Sequence, residues 1–183
     1  ARLCPLKGLD LLVDAYIELK QSDKHEHLRL AIAGGMTDED EPFVEEQRRK
    51  LTQAGVIDQV SITPNVDRDR KLEFLCELSV FCVPARYPEA FGLYVIEAMA
   101  AGVPVVLPEA GAFPEIVEST QGGKLYDSSD SMGLVHSLDN LLDDPEHAKV
   151  IGMNGHQAVA EQYANEKLAL SLVDHILSPI HFS

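Results

Sequence analysis

Short apolar runs alternate with amphipathic stretches along this chain, and that alternation restricts the fold more than any other feature. Leu28-Arg-Leu-Ala-Ile-Ala33 reads as a strand stopped by Gly34-Gly35, and Val60-Ser-Ile62 as a second. Val80-Phe-Cys-Val83 is apolar without a break, as a strand covered on both faces should be. Val103-Pro-Val-Val-Leu107 and Gly123-Lys-Leu-Tyr126 complete the set, with Pro104 placed at the start of its strand. Between them, residues 9–19 carry Leu9, Leu12, Val13, Tyr16, Ile17 and Leu19 on one broad helical face. Residues 42–54 begin on a first-turn proline and stop at Gly55. Asp67 is placed to cap a helix running through Glu77. Further helical patterns cover 91–101, 111–118, 129–142, 145–163 and 165–177, the last with Asn165 as its cap. The order predicts an α/β fold, a Rossmann-like parallel sheet with helices on both faces. In such a sheet ligands collect outside the carboxyl ends of the strands.

The length suits one compact domain over residues 1–183. A formal net charge of −15 argues against a nucleic-acid partner, which needs a basic stripe. It also means that any phosphate must be held by locally basic residues or by backbone N–H groups. The three cysteines match no metal spacing, so a reduced, cytoplasmic setting fits best, with Cys82 a small core residue. No apolar run approaches the ~18 residues of a membrane span, and the sequence leaves membrane contact of the intact protein open. The seven histidines read as solvated or structural, with no metal pair supported by carboxylates.

The segment from Pro84 to Val106 concentrates the chemistry. It runs strand, loop, helix, glycine, strand, so its loop sits at a strand's carboxyl end. Gly92 permits close approach of backbone to a ligand, and the helix start near Phe91 offers free N–H groups and a positive dipole end. Together these form a phosphate site without basic side chains. Glu89 and Glu97 stand eight positions apart. Taken by spacing alone, they read as a dipole-favoured helix-start carboxylate and a solvated one. The small apolar stretch Ala98-Met-Ala-Ala101 suggests a helix buried on most sides, where a carboxylate needs a partner such as ribose hydroxyls.

Glu89-x-Phe-Gly-Leu-x-x-x-Glu97-Ala-Met-Ala-x-Gly-x-Pro-Val-Val106 resembles the signature of the retaining GT-B glycosyltransferases called group 1 or family 4. Arg2-Leu-x-x-x-Lys7-Gly8 resembles a second motif of that family, and Gly111-Ala-Phe-Pro-Glu115 a third, with Ala112 where the family carries glycine. The resemblance spans Arg2 to about Leu177 and covers only the C-terminal, donor-binding half of a GT-B fold. It implies that Glu97 binds ribose, that Glu89 meets the sugar hydroxyls, and that amides near Phe91, Gly92 and Leu93 meet sugar and phosphate oxygens. Arg2 and Lys7 would stabilise the departing diphosphate. Gly34-Gly35 reads either as a close approach to nucleotide or as a plain chain reversal. Asn65 ends the strand where the family contacts the base.

The resemblance further implies a nucleoside-diphosphate sugar as donor substrate, no cofactor, no metal held by an Asp-x-Asp motif, and an N-terminal acceptor domain outside this chain. The fragment alone is then expected to bind donor weakly and to transfer nothing. A related phosphorylase and a non-catalytic nucleotide-sugar-binding module are the alternatives.

Overall fold

The computed structural model describes residues 1–163; the helix expected over 165–177 lies outside them. In chain order the elements are α1 (Leu9–Lys20), β1 (Leu30–Gly34), α2 (Glu41–Gln53), β2 (Val60–Pro64), α3 (Arg68–Cys76), β3 (Phe81–Cys82), α4 (Leu93–Ala100), β4 (Val105–Pro108), α5 (Phe113–Thr120), β5 (Gly123–Tyr126), α6 (Gly133–Asp143) and α7 (Pro145–Gln162). All pairings are parallel, and helices cover both faces, as the sequence pattern required.

The alternation of β4 shows how the layers form. Val105 and Leu107 point into a core made with α4, α5 and α7, whereas Val106 points into one made with α1, α6 and the start of α7. All three are fully buried, each worth about 1.5–3 kcal/mol relative to exposure. A third core joins β1 and β2 to α1 and α2 through Leu30, Ile32, Val13, Tyr16, Val44 and Leu51. Helix α1 enters two of these cores: Ala15 and Leu19 face one, Leu9, Val13 and Tyr16 the other.

The strands do not form one continuous sheet. β1 pairs with β2, and β3-β4-β5 form a separate three-stranded sheet. β3 is correspondingly short, two residues rather than the four of its apolar run, because only its β4 edge is paired.

Local chemistry moves several boundaries. Gly92 is left-handed, with φ 72°, so the helix expected from residue 91 begins at Leu93. Gly111, with φ 59°, likewise delays α5 to Phe113. The Asp127 carboxylate accepts from the Ser129 amide at 2.8 Å, and Asp130 from the Met132 amide at 2.9 Å. These Asx-type turns hold residues 127–132 out of the helix, which starts at Gly133.

Asp67 caps α3 as expected, accepting from the Arg70 amide at 2.9 Å. Replacing it with alanine should cost about 1 kcal/mol, read as a lower urea midpoint with unchanged slope.

Candidate functional site

The carboxyl ends of β1, β2 and β3 meet the start of α4. After β3, the loop over 84–92 is tied to residues 5–10 near the chain's start. Arg86 grips Asp10 with two N–H···O bonds of 2.6 Å and donates to the Pro5 carbonyl at 2.8 Å. Its own amide donates to the Leu6 carbonyl at 2.9 Å. Burial opposes the Asp10 carboxylate, but Arg86 outweighs it and lowers the Asp10 pKa. Gly8 has φ 72°, and a Cβ there would overlap the Pro84 carbonyl. This contact explains the glycine after Lys7: the two loops must touch at that point.

The clamp sets Lys7 against Glu89. The Lys7 ammonium donates to Glu89 Oε1 and, at 2.6 Å, to the Tyr87 hydroxyl. It lies 4.8 Å and 5.2 Å from the ring centroids of Tyr87 and Tyr94. Tyr94 donates to the same Glu89 oxygen at 2.7 Å. Burial opposes the charged Lys7, yet its bonds to Glu89 and Tyr87 prevail and raise its pKa. Burial opposes the Glu89 carboxylate too, and Lys7 and Tyr94 prevail in turn, lowering its pKa. The Tyr94 hydroxyl is pushed well up by burial and by Glu89, so it remains a donor.

Helix α4 carries Glu97 one turn beyond Tyr94. Val95, Ile96, Ala98 and Met99 are buried, as the small apolar stretch suggested. Glu97 itself is half-exposed and takes 2.6 Å from the Lys71 ammonium on α3. The partner expected for this carboxylate is therefore already supplied by the chain. Beside it lies a cavity of about 400 Å³, with Gly34, Gly35, Asn65, Lys71, Tyr94 and Glu97 in its wall.

Other expected residues have more local reasons for their identity. A Cβ on Gly34 would overlap the Ala1 carbonyl, whereas one on Gly35 would meet nothing within 4 Å. Asn65, left-handed with φ 55°, uses its side-chain amide to hold both the N–H and the C=O of Met36. A Cβ on Gly92 would come within 2.9 Å of the Phe113 ring. Phe91 and Leu93 expose their side chains, and Phe91 packs edge-on against Tyr163. Gly111 packs on the backbone of Glu89, and the Ala112 amide donates to the Glu89 carbonyl at 2.8 Å. The third motif thus braces Glu89 from behind.

Arg2 stands apart from this group. Its guanidinium donates to Asp40 at 3.1 Å and to Thr37 at 3.3 Å. Among the described residues it makes no bond to Lys7, Glu89 or Glu97. Tyr87, Tyr94, Arg86 and Lys71 line or brace this candidate site, and the sequence did not single them out. Tyr94 had a readable signal, since it lies three positions before Glu97 and so shares its helix face.

One histidine is structural rather than solvated. His25 is buried, with its Nε2 2.6 Å from Asp139 and 3.9 Å from Asp143. Lys24 sits on the same carboxylates, 2.6 Å from Asp143. These groups are more than a hundred positions apart in sequence, which is why no spacing pattern revealed them.

The sequence profile described as "Glycosyl transferases group 1" matches residues 1–158. The GDP-mannose-dependent alpha-(1-6)-phosphatidylinositol monomannoside mannosyltransferase of Mycobacterium tuberculosis is 30% identical over 182 residues, covering 96% of this chain and 46% of that protein. Among solved structures, sucrose-phosphate synthase from Thermosynechococcus elongatus superposes with a TM-score of 0.80 at 27% identity, over 96% of this chain and 43% of that one. The C-terminal domain of a glycosyl transferase group 1 family protein (LpcC) from Francisella tularensis gives 0.79 at 27% identity, over 90% of this chain and 83% of that one. The fold is that of a GT-B half. Among the described residues no helix is long and apolar enough to cross a membrane.

Proposed function

The chain belongs to the group 1 glycosyl transferases, and on that premise we propose that it is the donor half of a retaining, family 4 enzyme that binds a nucleoside-diphosphate sugar. The mycobacterial relative is named for such a donor, GDP-mannose, and this chain spans less than half its length. Residues 1–183 act as one nucleotide-sugar-binding domain, and an N-terminal domain of the same protein holds the acceptor.

The observation that carries this reading is the position of Tyr94. Its hydroxyl rests on Glu89, and its side chain walls the cavity where Glu97 stands. A ligand with a sugar at one end and a nucleoside at the other spans those two carboxylates. In this reading Glu97 accepts from the ribose hydroxyls, which replace the Lys71 ammonium on its carboxylate. Asn65, Gly34 and Gly35 border the base. The diphosphate lies between, facing the Leu93 and Tyr94 amides at the start of α4, ahead of the Val95 amide that donates to the Gly92 carbonyl at 2.8 Å.

Charge builds on the diphosphate as the glycosidic bond breaks, and Lys7 stabilises it. Arg2 joins from the other side by exchanging Asp40 for phosphate, which its planar fork can grip at two points. Glu89 orients the sugar. It is poorly suited to nucleophilic attack, because Lys7 and Tyr94 both load one of its oxygens. No cofactor or metal has a role in this scheme.

Glu97→Ala should weaken binding of a nucleoside diphosphate about ten- to a hundredfold in calorimetry, the worth of hydrogen bonds to a charged group. Unchanged affinity would remove the ribose role. Heat on titrating inorganic phosphate, with none for any nucleoside diphosphate, would point to a phosphorylase instead.

A further inference from the structure

A second group of polar side chains lies away from the candidate site. A short 3-10 turn over Asp23–His25 connects α1 to β1 and meets the end of α6. His25 is buried there, with its Nε2 2.6 Å from Asp139 and 3.9 Å from Asp143. One nitrogen and one oxygen from each carboxylate all lie within 4.8 Å of one another. From this triad we infer a binding site for a first-row divalent cation such as Zn²⁺, held by His25, Asp139 and Asp143.

The charges on α6 call for a cation at this point. Asp139 and Asp143 stand four positions apart on one face, and Asp143 is the last residue of the helix. Like charges at that spacing repel, and the negative end of the helix dipole adds to the repulsion. The last turn of α6 contains no basic residue to offset this. Lys24 offsets only part of it, one ammonium for two carboxylates. It lies 2.6 Å from Asp143 but 4.0 Å from Asp139. Its side chain is 59% exposed on a flexible stem, so the pair is weak and easily exchanged. A divalent ion supplies both charges at one point, and the Lys24 ammonium then turns out to solvent.

The buried imidazole distinguishes this site from a pair of surface carboxylates. Its turn is fixed by its own backbone. The His25 amide donates to the Ser22 carbonyl at 3.1 Å, and its carbonyl accepts from the Leu28 amide and the Lys20 ammonium, each at 3.0 Å. Nε2 is thus aimed at the carboxylates before any ion arrives. The ion takes the place of the proton between Nε2 and Asp139, and the neutral imidazole then carries its N–H on Nδ1. A nitrogen and two carboxylates suit Zn²⁺, Co²⁺ or Ni²⁺, whereas Mg²⁺ and Ca²⁺ favour oxygen alone. Three protein ligands leave a position for water, and both carboxylates are partly exposed, which gives the ion a way in.

The ion would act as a brace. It would tie the loop before β1 to the end of α6, at the end of β1 opposite to Gly34, which borders the cavity beside Glu97. The site therefore stands independently of the proposed donor binding.

Calorimetry with Zn²⁺ on the intact protein, first stripped with a chelator, tests this. Asp139→Asn and Asp143→Asn replace partly exposed ligands with near-isosteric ones, and circular dichroism checks that they fold. Each should weaken zinc binding by about tenfold to a hundredfold or more, since even outer-shell changes reach that size. Lys24→Ala should tighten it, because the ammonium competes for the same oxygens. No zinc uptake by wild type and Lys24→Ala alike would overturn the inference. So would uptake that both aspartate variants leave unchanged. If those variants do not fold, the His25 ring resonances of the wild-type protein decide: Co²⁺ must shift or broaden them strongly, and an unchanged His25 ring would overturn the site.

Discussion

Lys7→Ala should, on the proposed function, lower turnover of the intact protein by about a hundred- to a thousandfold, the cost of removing one preorganised group that stabilises developing charge. Donor affinity should fall less, since the diphosphate gains charge only as the bond breaks. The same substitution strands the Glu89 carboxylate, which is 11% exposed and keeps only Tyr94 as its strong donor. Leaving a largely buried charge without its counter-ion should cost about 2–3 kcal/mol of stability. Lys7→Arg separates the two effects, because it keeps charge but changes shape; activity should stay low while stability partly recovers. Full activity in Lys7→Ala would exclude the residue from the reaction.

The pair also fixes a pH window. Glu89 has its pKa lowered by folding, so its contribution is present above the ordinary carboxylate value of 4.5 and is lost as pH falls through the lower folded value. Lys7 has its pKa raised, so its contribution is present below 10.5 and is lost as pH rises through the higher folded value. Between those limits the pair is fully charged, and stability difference curves for Lys7→Ala should be flat there.

Gly111→Ala should be a strongly disruptive single-methyl change at the backbone of Glu89. Its Cβ would overlap the amide nitrogen and carbonyl oxygen of Glu89, at a position with φ 59°. The left-handed conformation costs about 1–2 kcal/mol for a residue with a Cβ, and forcing backbone apart adds about 1–3 kcal/mol. The side of Glu89 facing Lys7 must shift, and a displacement near 1 Å can cost about a hundredfold in rate. Thermal unfolding and turnover should therefore fall together. Gly35→Ala is the control for stability alone, because a Cβ there meets nothing within 4 Å. A Gly111→Ala protein as stable as wild type would show that the loop yields easily.

The parts of this molecule legible in its sequence are those with local causes. The five apolar runs became strands, the Asp67 cap formed, and the small apolar stretch of α4 is buried. The helix pattern misjudged starts where a left-handed glycine or an Asx turn intervenes, at Gly92, Gly111 and Asp127. Partners far apart in sequence were not legible at all. Arg86 and Asp10 are 76 positions apart, and His25 and Asp139 are 114 apart. Motif glycines were visible as motifs, but not their reasons: Gly8 meets Pro84, Gly34 meets Ala1, and Gly111 meets Glu89. The divided sheet leaves no local mark either, because each strand looks complete in isolation.

The ion pairs of the site bear on how an anion reaches it. Lys7, Lys71 and Arg2 are each already matched by Glu89, Glu97 and Asp40. The site's cations are thus neutralised at short range, while the chain as a whole carries −15. At longer range the proposed diphosphate ester would meet a repulsive field and find attraction only after these pairs exchange. Dissolved salt screens the field over about 8–10 Å but reaches partly buried pairs much less. From this domain's side, then, moderate ionic strength quickens the encounter instead of slowing it, and capture depends on swapping counter-ions at the wall.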